Sequence, residues 1–284
     1  MIFLRPTTWA DALAAMAEQP GAVAIAGGTD LMVGFNFGQP TPPALLDLTA
    51  VTELDDWHRD NGTVHIGAGV TYSRVISELA GVCPALAIAS RTVGSPQIRN
   101  RATVAGNLGT ASPAGDAHPA LLATGAVVEA ASVRGTRLID IDAFFLGVKR
   151  NALAPDELIR SVRVPARPGP QQFAKVGTRN AMVIAVCSVA VALDPTNRTV
   201  GTGIGSAAPT PRRSPDAEAL GADLPWDGGE LDPSLVDRFG SLVAAAASPI
   251  DDVRGTAAYR QHALAVMARR ALRWTWASLN GESG

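Results

Sequence analysis

Two stretches of this chain have the composition of loops that bind phosphate. The longer one, residues 99–116, consists mostly of glycine and other small residues, with hydroxyl and amide side chains between them. The other follows the apolar residues 22–26 and contains Gly27, Gly28, Thr29 and Asp30. A backbone with small side chains can approach an anion closely, so that successive N–H groups point at its oxygens.

The longer stretch ends at Asp116, and residues 117–122 are typical of a helix start. A loop that opens into a helix N-terminus suits a phosphate group. Two such loops, far apart in sequence, predict a ligand with a diphosphate that is held from both sides. Taken alone, each loop is also what an ordinary strand–turn–helix connection requires, since glycine permits positive φ.

The order and spacing of these loops resemble the FAD-binding medium subunit of the molybdenum hydroxylases. That family includes the medium subunit of aerobic carbon monoxide dehydrogenase and the flavin domain of xanthine dehydrogenase. The resemblance extends over nearly the whole chain, and its further family-like segments are residues 144–147, 155–159, 173–175 and 251–255. It implies that both loops contact the diphosphate of one FAD.

The resemblance assigns FAD contacts to individual residues of both loops. In the first loop they are Ala24, Ile25, Ala26, Gly27, Gly28, Thr29, Asp30 and Leu31. In the second loop they are Thr103, Val104, Ala105, Gly106 and Asn107. Ala105 stands where the family motif has glycine, and its methyl group is tolerable if φ is negative there. Because Thr29, not histidine, follows the glycine pair, we expect the FAD to be bound non-covalently.

Four more residues match family positions around the flavin. Ser112 is a candidate phosphate donor, and Asp116 is expected near the ribose and diphosphate, although an N-cap role is compatible with its several acceptor sites. Ile159 would pack on the flavin ring, unless it is ordinary strand core. Lys175 would lie at the polar edge of the ring, where a cation stabilises the reduced, anionic flavin. The alternative for Lys175 is a solvated position on a strand.

Composition narrows the class of protein. The 284 residues carry a net charge of −2, from 24 basic and 26 acidic side chains, which gives no electrostatic case for binding nucleic acid. A hydrophobic content of 47% supports a sizeable core. The longest apolar run, residues 181–193, falls short of the roughly 20 residues of a membrane span. With no signal peptide apparent, we expect a soluble, cytoplasmic protein.

Cysteine and histidine residues indicate no metal centre. Cys83 and Cys187 are too few for an iron–sulfur cluster or a tetrahedral zinc site, and buried free thiols are favoured over a disulfide. The four histidines have no ligand spacing. No acid, base or nucleophile constellation is evident, so we predict neither metal ligands nor catalytic residues.

The pattern of elements predicts an α+β protein in three parts. Residues 1–54 and 55–167 form the two lobes of an α/β FAD-binding domain, which the resemblance identifies as the vanillyl-alcohol-oxidase/PCMH type. Residues 168–284 form a C-terminal domain of antiparallel strands followed by helices. The boundary is the Pro- and Gly-rich segment 165–170. The flavin would lie between the two lobes, with its ring facing the C-terminal domain.

Several local expectations follow from capping and periodicity. Thr8 and Thr71 are predicted to cap helices, and Asp142 to cap a short turn. Residues 209–233, rich in Pro, Gly and Asp, are predicted to be mostly loop. In the last helix, residues 256–279, the predicted buried stripe comprises Leu264, Met267, Ala271 and Trp274.

The resemblance implies an oxidoreductase subunit that transfers electrons. Its partners would be a small subunit with [2Fe–2S] clusters and a large subunit with the molybdenum cofactor, assembled as a dimer of heterotrimers. Electrons would pass from the clusters through FAD to quinone, NAD or oxygen. One alternative is a stand-alone FAD-dependent oxidoreductase with its own small substrate. The other is a catalytically silent nucleotide-binding module of an assembly.

Overall fold

The computed structural model describes residues 1–166 and 169–281. The first part of the chain forms a three-stranded parallel sheet in the order β1-β3-β2. Its elements are β1 (Ile2–Leu4), α1 (Trp9–Glu18), β2 (Val23–Ile25), α2 (Leu31–Asn36) and β3 (Ala44–Asp47). Thr8 caps α1 as predicted, because its hydroxyl accepts the amide of Asp11 at 3.1 Å. The helix α2 makes the crossover that two parallel strands need.

The second part is built on a five-stranded antiparallel sheet in the order β4-β5-β10-β6-β7. Its strands are β4 (Trp57–Asp60), β5 (Thr63–Gly67), β6 (Val127–Ser132), β7 (Gly135–Asp140) and β10 (Leu158–Pro165). A short hairpin, β8 (Phe145–Gly147) and β9 (Arg150–Asn151), precedes β10. The helices are α3 (Tyr72–Glu78), α4 (Pro84–Arg91), α5 (Pro96–Arg99), α6 (Val104–Thr110), α7 (Ala117–Thr124) and α8 (Ile141–Phe144). Thr71 caps α3, as predicted.

The C-terminal part contains three antiparallel strands followed by helices, as predicted. The strands are β11 (Gln171–Gly177), β12 (Ala185–Asp194) and β13 (Thr199–Gly205), and the helices are α9 (Pro215–Ala219), α10 (Pro233–Ala246) and α11 (Ala257–Leu279). The predicted linker, residues 165–170, includes Arg167 and Pro168, which lie outside the described residues. The domain boundaries therefore stay a prediction.

Strand β12 is buried along its entire length and joins two hydrophobic cores. Ala190 and Ala192 belong to the core of the first two parts of the chain, whereas Val189 and Val191 belong to the core under α10 and α11. Successive side chains of a strand point to opposite faces, so one strand can serve both cores. The long apolar run in the sequence is therefore a central strand covered on both sides.

Helix α7 packs directly on β13 and is buried at every residue. A β-carbon at Gly203 would overlap the carbonyl oxygen of Pro119, and one at Gly201 would overlap that of Ala123. The two glycines let the helix backbone contact the strand backbone. The C-terminal sheet thereby supports the helix that follows the second predicted phosphate loop.

Two local predictions are wrong. The stretch 99–116 is not all loop, because Thr103 accepts the amide of Gly106 at 2.9 Å and begins α6. Asp142 lies within α8, whose N-cap position is Asp140, so Asp142 caps nothing. The 209–233 region is mostly loop, as predicted, although it contains α9 and a 3₁₀ turn at Leu220–Asp223. Both cysteines are free and buried as predicted, and burial raises the pKa of each thiol to about 12.

The buried face of α11 differs from the predicted one at the C-terminal end of the helix. Leu264, Met267 and Ala271 are buried, but Trp274 is 43% exposed and Trp276 is only 4% exposed. The stripe continues in steps of four residues from Leu272, which turns residue 276 inward. The indole of Trp276 donates to the Gly229 carbonyl at 3.0 Å and packs edge-on against Trp226.

This difference gives a paired test. We expect Trp276→Ala to destabilise the fold by about 3–5 kcal/mol, because it removes a buried ring and leaves a cavity. Trp274→Ala should cost less than about 1 kcal/mol, because its ring is half exposed. Urea unfolding of both variants measures the difference, and equal losses would contradict the assignment of the buried face.

Candidate functional site

Both predicted phosphate loops line one cleft of about 650 Å³ between the first two parts of the chain. The predicted contact residues on its wall are Ala24, Ala26, Gly27, Asp30 and Leu31 from the first loop, Thr103, Ala105 and Gly106 from the second, and Ile159. Residues 153–155 and 157–159 form a further wall. A cleft of this size suits a small-molecule ligand or cofactor. The lining ends at Ile159, so no described residue of β11–β13 or α9–α11 belongs to it.

The two loops meet at Gly27. A β-carbon on this residue would overlap the carbonyl oxygen of Arg101, and its distance from the amide nitrogen of Ala102 would also be too short for a real side chain. Any residue other than glycine would push the two loops apart. The absence of a side chain at position 27 is therefore what allows both loops to border the same cleft.

Backbone conformation shapes the first loop, and hydrogen bonds to a neighbouring segment shape the second. In the first, Gly28 has φ +72°, a conformation that favours glycine. In the second, the amide of Tyr72 donates to the carbonyl of Ala102 at 3.0 Å, and Thr71 bridges to Thr103. Ala105 lies in the first turn of α6, where φ is negative, so its methyl group is accommodated.

The other predicted contact residues do not lie on the described wall of this cleft. They are Ile25, Gly28, Thr29, Val104, Asn107, Ser112, Asp116 and Lys175. The hydroxyl of Ser112 accepts the amide of Ala114 at 3.3 Å. The FAD contacts assigned to the residues on the cleft wall and to those away from it stay predictions.

Asp116 and Lys175 form a buried ion pair. Their side chains are 9% and 8% exposed, and Lys175 Nζ lies 2.6 Å from Asp116 Oδ2. The same carboxylate oxygen accepts the hydroxyl of Thr92 at 3.2 Å, and Lys175 also donates to the Thr92 carbonyl at 3.2 Å. Burial raises the pKa of Asp116, and the ammonium of Lys175 opposes that rise. The pair joins β11 to the start of α7.

The structure tests two expectations about this pair. Asp116 occupies the N-cap position of α7 as expected, but its carboxylate makes no capping hydrogen bond, and its Oδ2 instead accepts from Lys175 and Thr92. Lys175 is not a solvated strand residue, because its side chain is buried against the loop before α7. Asp116 Oδ1 is buried and has no hydrogen-bond partner among the described residues.

Sequence reasoning missed several polar residues of the cleft wall. They are Asn100, Arg101, Thr110, Lys149, Asn151 and Glu157. Arg101 lies inside the longer predicted loop, and the resemblance covers residues 144–147 and 155–159 on either side of Lys149. These residues thus lie within or beside segments that the sequence analysis had singled out, but only the fold shows which of them line the cleft.

The buried side chain of His118 packs against the second loop. Its ring is fully buried, lies 4.6 Å from the ring of Phe145 and places Nε2 3.3 Å from the carbonyl oxygen of Asn107. A β-carbon at Gly115 would overlap the same ring. Burial lowers the pKa of His118 to about 4. The neutral ring therefore packs between the end of the loop and the hairpin strand β8.

Two family profiles cover almost the whole chain. The profile of the FAD binding domain in molybdopterin dehydrogenase matches residues 1–167, and that of the CO dehydrogenase flavoprotein C-terminal domain matches residues 172–275. The chain belongs to this family of FAD-binding flavoproteins. The predicted family, the α+β fold class and an oxidoreductase flavoprotein with FAD as its cofactor are thereby confirmed.

Individual relatives match over nearly their full length. The chain is 30% identical to the nicotine 6-hydroxylase medium subunit of Paenarthrobacter nicotinovorans over 275 residues, which is 95% of each chain. It is 30% identical to the carbon monoxide dehydrogenase medium chain of Afipia carboxidovorans, covering 94% of each chain. A chain of reconstituted CO dehydrogenase from Oligotropha carboxidovorans superimposes with a TM-score of 0.90 at 28% identity, covering 98% of both chains.

Other features of the described residues limit the chemistry. No helix among them is long and apolar enough to cross a membrane. Nor do they contain a group of three or more His, Cys, Asp or Glu side chains placed to hold a metal ion. The cleft wall, as described, contains neither histidine nor cysteine. Its glycines and small residues let the backbone approach a bound anion, and its charged side chains are the cations Arg101 and Lys149 and the carboxylates of Asp30, Asp55 and Glu157.

Gly27→Ala tests the contact between the loops. We expect a loss of about 1–3 kcal/mol of stability, since the methyl group must displace the Arg101 backbone. We also expect weaker FAD binding, because the same displacement separates the two loops. Chemical denaturation and flavin fluorescence measure these effects. Gly81→Ala is the matched control, because a β-carbon there meets no atom within 4 Å. Unchanged stability and FAD affinity in Gly27→Ala would contradict the close contact.

His118 predicts a pH dependence of stability. The imidazole of an unfolded chain titrates near pH 6.5, whereas burial lowers the pKa of His118 to about 4. The contribution of the neutral ring is complete above about pH 6.5 and is lost as the pH falls toward 4. We expect the free energy of unfolding to decline more steeply in the wild type than in His118→Asn, by up to about 3 kcal/mol. Urea titrations across this range measure both slopes, and parallel slopes would contradict the assignment.

Proposed function

We propose that this chain is the FAD-carrying, electron-transferring subunit of a molybdenum-containing hydroxylase or dehydrogenase. The observation that carries the proposal is the shared cleft, where two loops distant in sequence border one space of suitable size. The family match supplies the identity of the cofactor. The related chains are named as medium subunits or medium chains of larger enzymes, which favours a subunit over a stand-alone oxidoreductase.

The cleft fits FAD in its chemistry as well as its volume. Gly27 in the first loop and Ala105 and Gly106 in the second are small, so the backbone of both loops can approach a diphosphate. The first N–H groups of a helix have no intrahelical acceptor, so the start of α6 at Val104 offers donors to an anion. The buried Oδ1 of Asn107 has no described hydrogen-bond partner and is an acceptor for a flavin hydroxyl if the side chain turns toward the cleft.

In this proposal the chain binds, orients and tunes the flavin. Bound FAD supplies the electron-accepting and electron-donating chemistry, and the residues of the chain need not abstract a proton. Ile159 on β10 lines the cleft and would pack against the ring. Asp116 and Lys175 lie outside the described cleft wall, so the contacts proposed for them require the cofactor to extend beyond it toward the buried pair.

The assembly belongs to the same proposal. An iron–sulfur small subunit would deliver electrons, a molybdopterin large subunit would oxidise the substrate, and the complex would be a dimer of heterotrimers in the cytoplasm. Quinone, NAD or oxygen would accept the electrons. The names of the relatives, a nicotine 6-hydroxylase and a carbon monoxide dehydrogenase, indicate that substrate choice differs among complexes with similar medium subunits.

Purification of the full chain tests the cofactor assignment. We expect a flavin absorbance spectrum and a stoichiometric release of FAD on heat denaturation, as for a non-covalent cofactor. Gly106→Val should lose most of this FAD, because the new β-carbon lies 3.1 Å from the Thr103 hydroxyl that begins α6, and the side chain enters the wall of the cleft. Chromatography of the released flavin measures occupancy.

Gly81→Val is the control for this substitution, because its position is remote from the cleft wall and sterically open. A folded wild-type chain that retains no FAD after reconstitution would contradict the proposal. Reduction with dithionite, followed by mixing with quinone, NAD or oxygen, then identifies the acceptor. Turnover of a small substrate by the isolated chain would favour the stand-alone oxidoreductase instead.

A further inference from the structure

A cationic side chain on the tip of the β8–β9 hairpin belongs to the cleft wall. Lys149 lines the cleft, and its ammonium lies 3.9 Å from the carboxylate of Asp30 in the first loop. Its own amide donates to the Ala111 carbonyl at 3.1 Å, just after α6. The side-chain amide of Asn151 donates to the Gly109 carbonyl at 2.8 Å. The hairpin is thus fixed to the second loop while Lys149 reaches the first.

The backbone of Lys149 is held in an unfavourable conformation. Its φ is +53°, in the left-handed region that glycine and asparagine adopt far more readily than lysine. Such strain persists where surrounding contacts impose it, and it concentrates at ligand-binding positions. A lysine at this hairpin tip costs stability that glycine would not, as does Arg198 with the same φ in another hairpin turn, so any role of the Lys149 ammonium depends on its surroundings.

The charged side chains on the cleft wall are the observation from which we infer a role for Lys149. The acidic side chains on the wall are Asp30, Asp55 and Glu157, and Glu157 is already held by two 2.7 Å hydrogen bonds from Arg137. The cations on the described wall are Arg101 and Lys149. A diphosphate between the loops would be repelled by the Asp30 carboxylate unless a positive charge lay beside both. Lys149 is the side chain placed to provide it.

We propose that Lys149 is a diphosphate-binding residue of the FAD site. Its ammonium pairs with Asp30 and offsets part of the negative charge of a diphosphate held between the two loops, and Arg101 is the other cation on the described wall. Because half of each side chain in the Lys149–Asp30 pair is exposed, the pair alone contributes little to stability. This inference rests on the proposed function, since it requires FAD in the cleft.

Three variants of the full-length chain test the proposal with FAD as the probe. Lys149→Gly removes both the charge and the strain, so it should raise the FAD dissociation constant about fivefold at low salt and raise the thermal midpoint of the FAD-free chain. The loss of affinity should shrink as salt screens the charge. Lys149→Arg keeps the charge and should retain an affinity close to that of the wild type.

Arg198→Gly is the matched control. Arg198 also has φ +53°, also lies in a hairpin turn and also forms a surface ion pair, with Asp227, but it stands outside the cleft wall. We expect the same relief of strain with no change in FAD affinity. Fluorescence titration gives the dissociation constants, and thermal melts of the FAD-free chains give the stability.

The outcomes separate this inference from the proposed function. If the wild type binds FAD and Lys149→Gly binds it equally well at low salt, the role of Lys149 is overturned while the flavoprotein assignment stands. If Lys149→Arg is as weak as Lys149→Gly, the charge is not the reason and the proposal is again overturned. If the wild type binds no FAD, both the role of Lys149 and the proposed function are overturned.

Discussion

The site depends on one steric constraint, the contact between Gly27 and the backbone of Arg101. Backbone atoms of the two lobes come so close there that no side chain fits. Because residues of both loops line the same cleft, this contact fixes the separation of the two loops there. A side chain at position 27 would change that separation.

The C-terminal part supports the cleft without lining it. Helix α7 rests on the glycines of β13, and the pair Lys175–Asp116 ties β11 to the loop before α7. Removing one member of such a pair would leave an uncompensated buried charge, which is costly. The position of the second loop is therefore coupled to the C-terminal sheet, although the described cleft wall ends at Ile159.

The electrostatics of the cleft suit binding more than catalysis. Two of the acidic side chains on its described wall are paired with a cation, Glu157 with Arg137 and Asp30 with Lys149. The buried His118 near the second loop contacts backbone and Phe145 and is kept neutral by burial. These arrangements suit a protein whose chemistry resides in its flavin.

The sequence alone determined the family, the α+β class, the capping threonines and the two loops, because these follow from local residue types in a fixed order. Periodicity also identified the strands of the C-terminal sheet. The prediction of a buried Trp274 from periodicity was wrong, because the buried face of a helix depends on the surface against which the helix packs. The loop at residues 99–116 likewise contains a helix because Thr103 caps it and tertiary contacts compensate for its glycines.

Only the tertiary structure decided which residues share the cleft. Lys149 and Arg101 are ordinary surface cations in the sequence, and they reach the wall because a hairpin and a loop distant in sequence converge there. The pairing of Lys175 with Asp116 spans 59 positions and could not be read from spacing. Local patterns specify helices, turns and caps, whereas contacts across the chain depend on how the lobes pack, and no short segment encodes that.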